Sequence, residues 1–372
     1  MILIQTTRDE LLKPLQAVTG IVERRHTLPI LSNVLIERKD AEISFTATDL
    51  EIQIATSTPV TQTSNDGKQA TAVTVAAKKL QDILRALPDN SQVTLDAQET
   101  RLQVKAGKSR FNLQTLPVED FPKLPESAAP LAKITVQQKE LKNLLFLVQY
   151  AMAQQDIRYY LNGLLLLVEE QHLKVVATDG HRLGFASIVL GEAQEKREVI
   201  LPRKAVLELA KQLNDSDEPV IIEVLQNQVR FTFSNVVLVS KVVDGKFPDY
   251  TRVIPVGYQK QFDLNRVMLL QTLQRAAILS NEKFRGVRLI LTAGNLRIVC
   301  SNNEQEEAQE ELEIQYDGEA LDIGFNITYL LDVLNNLTCE IVQCSFGDAN
   351  SSALITIPAN NDFKYVVMPM RI

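Results

Sequence analysis

Asp179 and His181, two residues apart in ATDGHRL (Ala177–Leu183), are the pair in this chain best suited to general acid and base chemistry. Such a pair needs a nucleophile, a metal or a cofactor cradle beside it. The sequence contains no GxxxxGKS/T, no GxGxxG after a strand, no HExxH and no GxSxG. Its three histidines, His26, His172 and His181, are too scattered to suggest a metal cluster, so neither metal nor cofactor is expected. Turns of related sequence, Thr48-Asp49-Leu50 and Asn302-Asn303-Glu304, lack the histidine, and an Asx turn explains Asp179 without catalysis. A hydrolase centred on Asp179 and His181 is therefore the weaker reading.

Cations spaced along helices offer a different chemistry, the neutralisation of phosphate. In VAAKKLQDILRAL (Val75–Leu87), Leu80, Ile83, Leu84 and Leu87 form an apolar stripe, while Lys78 and Arg85 lie seven residues apart on the other face. In LPRKAVLELAKQL (Leu201–Leu213), Val206, Leu209, Ala210 and Leu213 repeat the stripe, and Lys204 and Lys211 repeat the cations. The third such helix carries Thr328 and Asn335 there. Lysines on a wet helix face serve solubility in most proteins. Their recurrence in register favours a binding surface, which Lys13, Arg24, Arg25, Lys139 and Lys142 extend. The formal net charge is −7, from 46 acidic and 39 basic residues, so any such surface is local and the rest of the protein acidic.

The elements that must position these groups occur three times. SFTATDLEIQI, KVVATDGHRLGF and RIVCSNNEQEEA recur at a spacing of about 125 residues, far above the ~20–50 of solenoid repeats. An apolar strand-like run precedes each turn and an amphipathic helix follows it. Within those helices Asp82, Glu208 and Asp332 align. Three copies of one α+β domain are expected, with antiparallel strands, about two helices each, and spans of 1–128, 129–257 and 258–372. The boundaries fall near LPESAAPLA (Leu124–Ala132) and PVGYQK (Pro255–Lys260), where proline and polar residues interrupt the pattern. Neither is a long linker, and the domains are expected to pack in a fixed, curved row.

Two charged strands complete the pattern. KAGKSRFNL places Lys105, Lys108 and Arg110 beside Phe111 and Leu113, whereas NEQEEAQEELEI sets Glu307, Glu311 and Glu313 on one strand face, alternating with Leu312 and Ile314. Charge on an edge strand guards against unwanted pairing. It also suits a head-to-tail contact between molecules, which repeated twice closes a ring.

At 372 residues, 45% hydrophobic and 23% charged, the chain is expected to be globular. No run approaches a membrane span, and MILIQTTRDELLKPL has no secretory signal features, so a cytoplasmic location is expected. Cys300, Cys339 and Cys344 are read as buried free thiols.

On these residues and motifs the chain resembles the bacterial β sliding clamp family, the processivity subunit (DNA polymerase III subunit beta) of the replicative polymerase. The likeness runs through TLPIL (Thr27–Leu31), TDLE (Thr48–Glu51), QDIRYYLNG (Gln155–Gly163), ATDGHRL, FPDY (Phe247–Tyr250), ILSNEKFRGVRL (Ile278–Leu289) and YVVMPMRI (Tyr365–Ile372). It implies three DNA-clamp domains, antiparallel sheets outside and helices lining a ring made by a head-to-tail homodimer around double-stranded DNA, without sequence specificity. DNA contacts fall by resemblance on Arg25, Gln155, Tyr159, Tyr160 and Lys204, to which the stripe argument adds Lys78, Arg85 and Lys211. Tyr159 and Tyr160 are equally suited to packing, and Gln154 is neutral where the family pattern has histidine.

The resemblance also implies an apolar cleft for partner peptides at Arg158, Leu161, Thr178, Gly180, His181, Arg182, Leu183, Pro248, Val253, Asn326, Val366, Met368, Pro369 and Met370, where Arg and His meet polar peptide groups. Implied partners are the clamp-loader ATPase complex, the replicative polymerase catalytic subunit, translesion and repair polymerases, mismatch-repair proteins and ligase. The implied dimer contact sets Phe111 and Leu113 against Ile278 and Leu279. Lys105, Lys108 and Arg110 flank it opposite Glu304, Glu306, Glu307, Glu310 and Glu311, and Gln309 departs from a more acidic pattern. The family is an accessory subunit with no catalytic residues, and a DNA-directed DNA polymerase (nucleotidyltransferase) label attaches to it only by association. A non-ring dimeric DNA-binding regulator is the alternative, although no helix-turn-helix or zinc motif is present to read bases.

Overall fold

The computed structural model describes residues 2–22, 28–39, 42–59, 71–125 and 129–371. Its first stretch runs β1 (Ile2–Thr7), α1 (Arg8–Thr19), β2 (Asn33–Lys39), β3 (Glu42–Thr48), β4 (Ile52–Pro59), β5 (Thr71–Ala76), α2 (Ala77–Ala86), β6 (Gln92–Gln98), β7 (Arg101–Ala106) and β8 (Ser109–Leu116). The middle stretch is β9 (Ala132–Gln137), α3 (Gln138–Val148), β10 (Gly163–Thr178), β11 (Arg182–Pro202), α4 (Arg203–Gln212), β12 (Pro219–Val224), β13 (Gln228–Phe233) and β14 (Val236–Lys241). The last is β15 (Lys260–Asn265), α5 (Arg266–Ala276), β16 (Gly286–Thr292), β17 (Asn295–Ser301), β18 (Glu307–Glu313), β19 (Leu321–Asn326), α6 (Ile327–Asn336), β20 (Ile341–Phe346), β21 (Ala353–Ile357) and β22 (Asn360–Val367).

The order strand, helix, strands, helix, three strands therefore occurs three times. In the middle copy the four central strands run together into two long ones, with register breaks around Glu170.

The chain forms two compact units, Met1–Leu141 with Leu207–Val242, and Lys142–Val206 with Val243–Ile372. The first unit holds a twelve-stranded sheet in the order β1-β6-β7-β8-β5-β2-β3-β4-β14-β13-β12-β9. The second holds a six-stranded sheet, β10-β11-β22-β21-β20-β15, and a four-stranded one, β18-β17-β16-β19. All pairings are antiparallel, so one face of each strand can bury while the other stays wet.

In β7 that alternation buries Leu102, Val104 and Ala106 and leaves Arg101, Gln103 and Lys105 outside. The helices cover the buried faces. α6 buries Ile327, Leu330, Val333 and Leu334 against Phe325, Phe346 and Phe363. Asn265 and Asn326 cap α5 and α6, accepting from the N–H of Met268 (3.0 Å) and Thr328 (2.9 Å). α2 refines the expected stripe. Ala77, Leu80, Gln81 and Leu84 are buried, Gln81 Nε2 donating to Thr19 Oγ1 at 2.8 Å, whereas Ile83 is only half-buried. A buried glutamine can take a core position here because α1 offers its amide a partner.

Cys300 and Cys344 are buried thiols, pushed up to about 11 and about 12 by desolvation, while Cys339 is only partly buried, which corrects the expectation for that residue. No described helix is long and apolar enough to cross a membrane.

Candidate nucleic-acid and partner-binding sites

The turn between β10 and β11 shows why Asp179 stands where it does. Its Oδ1 accepts from the N–H groups of His181 (2.9 Å) and Arg182 (3.0 Å). Thr178 Oγ1 accepts from Gly180 N (3.1 Å) and donates to the Arg182 carbonyl (2.6 Å). Gly180 has φ +86°, and a Cβ there would lie 3.0 Å from Nη2 of Arg158. The other Asp179 oxygen accepts from Arg182 Nε at 3.0 Å. With both oxygens engaged, Asp179 is a turn and ion-pair residue rather than a base for the exposed His181.

Arg182 departs from expectation. It was expected to meet polar groups of a partner, yet its side chain is only 10% exposed and its nitrogens are spent internally. Nη1 binds Asp332 Oδ2 at 2.5 Å, Nη2 donates to the Tyr150 carbonyl at 2.6 Å, and the guanidinium stacks 4.4 Å from the Tyr329 ring. Burial works against its charge, but the surrounding acidic and phenolic groups reverse that and raise its pKa. Tyr329 and Asp332, which hold Arg182, are not among the residues expected from the sequence. The only signal was the alignment of Asp332 with Asp82 and Glu208.

The other residues expected at the partner cleft sort into a buried floor and an exposed rim. Leu183 and Val366 pair in register between β11 and β22 and are buried with Leu165, Val176, Phe185 and Phe247. Leu161 and Thr178 are buried too, so these four form the floor. Arg158, Gly180, His181, Pro248, Val253 and Met368 are exposed, with Pro369 and Met370 half-buried beside them. Met368 N donates to the His181 carbonyl and Met370 N to that of Gly324, both at 2.8 Å, tying the C-terminal segment to the turn and to β19. Asn326 caps α6 and is half-buried at this edge.

The loop before β10 is held rigidly. Asp156 N donates to Asn162 Oδ1 and Asn162 Nδ2 to the Asp156 carbonyl, both at 2.8 Å, and Ala153 N donates to the Leu161 carbonyl at 3.0 Å. Arg158 grips the Asp156 carboxylate through Nε (3.0 Å) and Nη2 (2.9 Å), and these bonds, with the Arg158 N–H, hold the Asp156 pKa down at about 2. The loop carries Gln155 and Tyr159 in solvent. Tyr160 packs edge-on to Tyr159 and against the floor cluster, so packing accounts for Tyr160 but not for Tyr159, which is 55% exposed. Lys204, partly buried on α4, belongs to this same unit.

In the first unit Lys78, Arg85 and Lys211 converge on one open concavity of about 890 Å³, which Lys79, Gln16 and Gly20 also line. Lys211 lies 3.8 Å from Glu208, too far for a firm pair, and its ammonium remains largely in solvent. Arg25 lies outside the described residues.

The two charged strands are open edges. β8 meets β5 only at Thr115 and Leu116, so its outer side from Ser109 to Gln114 has no strand partner among the described residues. β18 ends the four-stranded sheet. Phe111 and Leu113 are half-buried among exposed Arg110, Asn112 and Lys108, and Ile278 is 78% exposed beside half-buried Leu279. Glu304, Glu306, Glu307 and Glu311 are exposed. Two expected contacts need revision. Glu310 falls on the inward face of β18 with Ala308 and Leu312, and Arg275 grips its carboxylate at 2.6 and 2.9 Å. Lys105 binds Asp96 at 3.0 Å. Both charges already have partners within the chain.

Among the described residues no cluster of His, Cys, Asp or Glu could hold a metal ion. Three families match in order: the DNA polymerase III beta subunit N-terminal domain over residues 2–125, its central domain over 135–249 and its C-terminal domain over 251–371. The chain is 48% identical over 366 residues to the beta sliding clamp of Pseudomonas putida, covering 98% of each. It superposes on the crystal structure of the DNA polymerase III subunit beta from Pseudomonas aeruginosa with a TM-score of 0.95 at 46% identity, covering 100% of both chains. The same TM-score, identity and coverage hold for a sliding clamp of that organism bound to griselimycin. Matched from end to end in all three domains, the chain belongs to the β sliding clamp family, the non-catalytic processivity subunit of DNA polymerase III.

Proposed function

We propose that two copies of this chain join head to tail, close a ring around duplex DNA in the cytoplasm, and tether the replicative polymerase to it. The observation that carries this reading is the pair of open strand edges, basic on β8 and acidic on β18, the first beside half-buried Phe111 and Leu113 and the second beside exposed Ile278. The centre of the contact is Phe111 and Leu113 against Ile278 and Leu279 of the partner molecule. Lys108 and Arg110 face Glu304, Glu306, Glu307 and Glu311, setting register more than strength, since exposed pairs contribute ~0–1 kcal/mol each. The domains span 1–128, 129–257 and 258–372.

Helix faces carrying Lys78, Arg85, Lys204 and Lys211, with Arg25, Gln155 and Tyr159, meet phosphates. Such contacts hold no sequence information, so the ring slides. Encirclement retains the ring while each contact is fleeting. The cleft takes short peptides of the clamp loader, of replicative and repair polymerases, of mismatch-repair proteins and of ligase. Exposed Met368, Val253 and His181 suit such varied anchors. The griselimycin complex of the P. aeruginosa relative supports a small-ligand site on this fold.

The test is retention on a nicked circular plasmid after loading by a cognate loader with ATP, then a high-salt wash and linearisation. Survival through salt followed by loss from linear ends is expected. Loss in the wash, with the loader proven on a control clamp, would leave a non-ring DNA binder.

A further inference from the structure

Three hydrogen bonds and one chain connection form a closed circuit around the cleft. Arg182 on the turn binds Asp332 on α6; the turn's His181 carbonyl takes the N–H of Met368; Met370 N donates to Gly324 of β19; and β19 runs directly into α6. Both walls of the cleft, the turn with His181 and the segment with Met368 to Met370, are thus referred to one helix. Of the two carboxylates on Arg182, Asp179 lies three residues away and moves with the turn. Asp332 comes from 150 residues downstream and is the charge that fixes the arginine to α6.

We propose that Asp332 is a positioning residue for partner binding, acting through Arg182 to hold the turn at the distance from the C-terminal segment that a bound peptide needs. The inference rests on the reading of this surface as the partner cleft. A buried guanidinium demands good geometry from each partner, since removing one leaves charge uncompensated. Tyr329, one helical turn before Asp332, stacks on the same guanidinium, so α6 supplies both a charge and a flat surface. The helix position alone does not require this use, because its counterpart Asp82 on α2 is exposed.

The test measures binding of griselimycin and of the cognate polymerase catalytic subunit to the immobilised full-length protein, beside the dimer fraction of the same variants in sedimentation. Asp332→Asn is expected to weaken both ligands by about tenfold, as coupled contacts do, while Asp332→Glu restores affinity and the dimer fraction is unchanged in both. Unchanged affinity in Asp332→Asn overturns the inference, and so does a loss of dimer parallel to the loss of affinity. Arg182→Lys gives an independent route, since an ammonium cannot satisfy three acceptors in one plane. It should weaken binding by a similar factor, with no further loss on adding Asp332→Asn, and multiplicative losses overturn the proposal. The cleft reading fails separately, if Val253→Asp binds both ligands as tightly as the wild type.

Discussion

The turns Thr48–Ile52 and Thr178–Arg182 share one frame and differ at three positions. In each, the threonine hydroxyl accepts an N–H two residues on and donates to the carbonyl four residues on, at 3.1 and 2.9 Å in the first turn and 3.1 and 2.6 Å in the second. In each, the aspartate Oδ1 accepts two successive backbone N–H groups. The third residue has positive φ in both, 77° at Leu50 and 86° at Gly180. Glycine in the second turn admits Arg158 to the space a side chain would fill. The fifth residue is Ile52, 1% exposed, in one and Arg182 in the other. Residues that build the turn are shared by the two copies, and the differences fall at the three positions the frame leaves open, Leu50/Gly180, Glu51/His181 and Ile52/Arg182.

The comparison breaks most severely when Arg182 is replaced by the residue of the other copy. Arg182→Ile strands Asp179 and Asp332, and unfolding in urea is expected to lose about 3–5 kcal/mol. A loss under about 1 kcal/mol would mean that the ion pairs do not hold the turn. Asp179→Ala removes two backbone acceptor bonds and an ion pair and is expected to cost about 2–3 kcal/mol. A loss near 1 kcal/mol would place the whole stabilisation in the backbone frame. Gly180→Leu, which imports the first turn's residue, is expected to cost about 1–2 kcal/mol from strain at positive φ and to displace Arg158. The reverse change, Leu50→Gly, should leave the unfolding free energy within about 1 kcal/mol of the wild type.

What was readable in the sequence was local or repeated. The Asx turn follows from Thr-Asp at a strand end, the helix stripes from spacing, the open edges from alternating charge. The triple order of elements emerged because each copy writes the same punctuation. What stayed hidden depended on partners far along the chain. Arg182 was expected to face outward because nothing near it announces Asp332. Glu310 was read as an intermolecular charge, yet strand parity turns it inward to Arg275, 35 residues earlier. In the third copy the turn is organised by Asn302, not Asn303: its Oδ1 accepts from Glu304 N and Glu306 N, both at 3.0 Å, in a loop two residues longer than its counterparts. An insertion shifts an alignment by one residue without disturbing the pattern around it.

The smallest effect lies in the Arg158 that fills the space over Gly180. Its other partner is Asp156, whose pKa it holds at about 2, first through its guanidinium and then through its own N–H. A depressed carboxylate contributes fully above its unfolded value of about 3.9 and loses that contribution as pH falls through the folded one. Nothing should therefore change between pH 5 and 8, and the grip on the loop should loosen only as acid brings pH from about 4 to about 2. Carboxyl resonances followed by NMR should place the wild-type Asp156 midpoint near 2. Arg158→Gln should return it towards the ordinary aspartate range, and Gly180→Leu should move it part of the way, because the new side chain competes with the guanidinium for the same space. A midpoint unmoved in Arg158→Gln would assign the depression to the backbone N–H alone. The link from the Asp156 loop to the Asp179 turn would then lose its charge-assisted half, and Gly180 would keep only its conformational reason for being glycine.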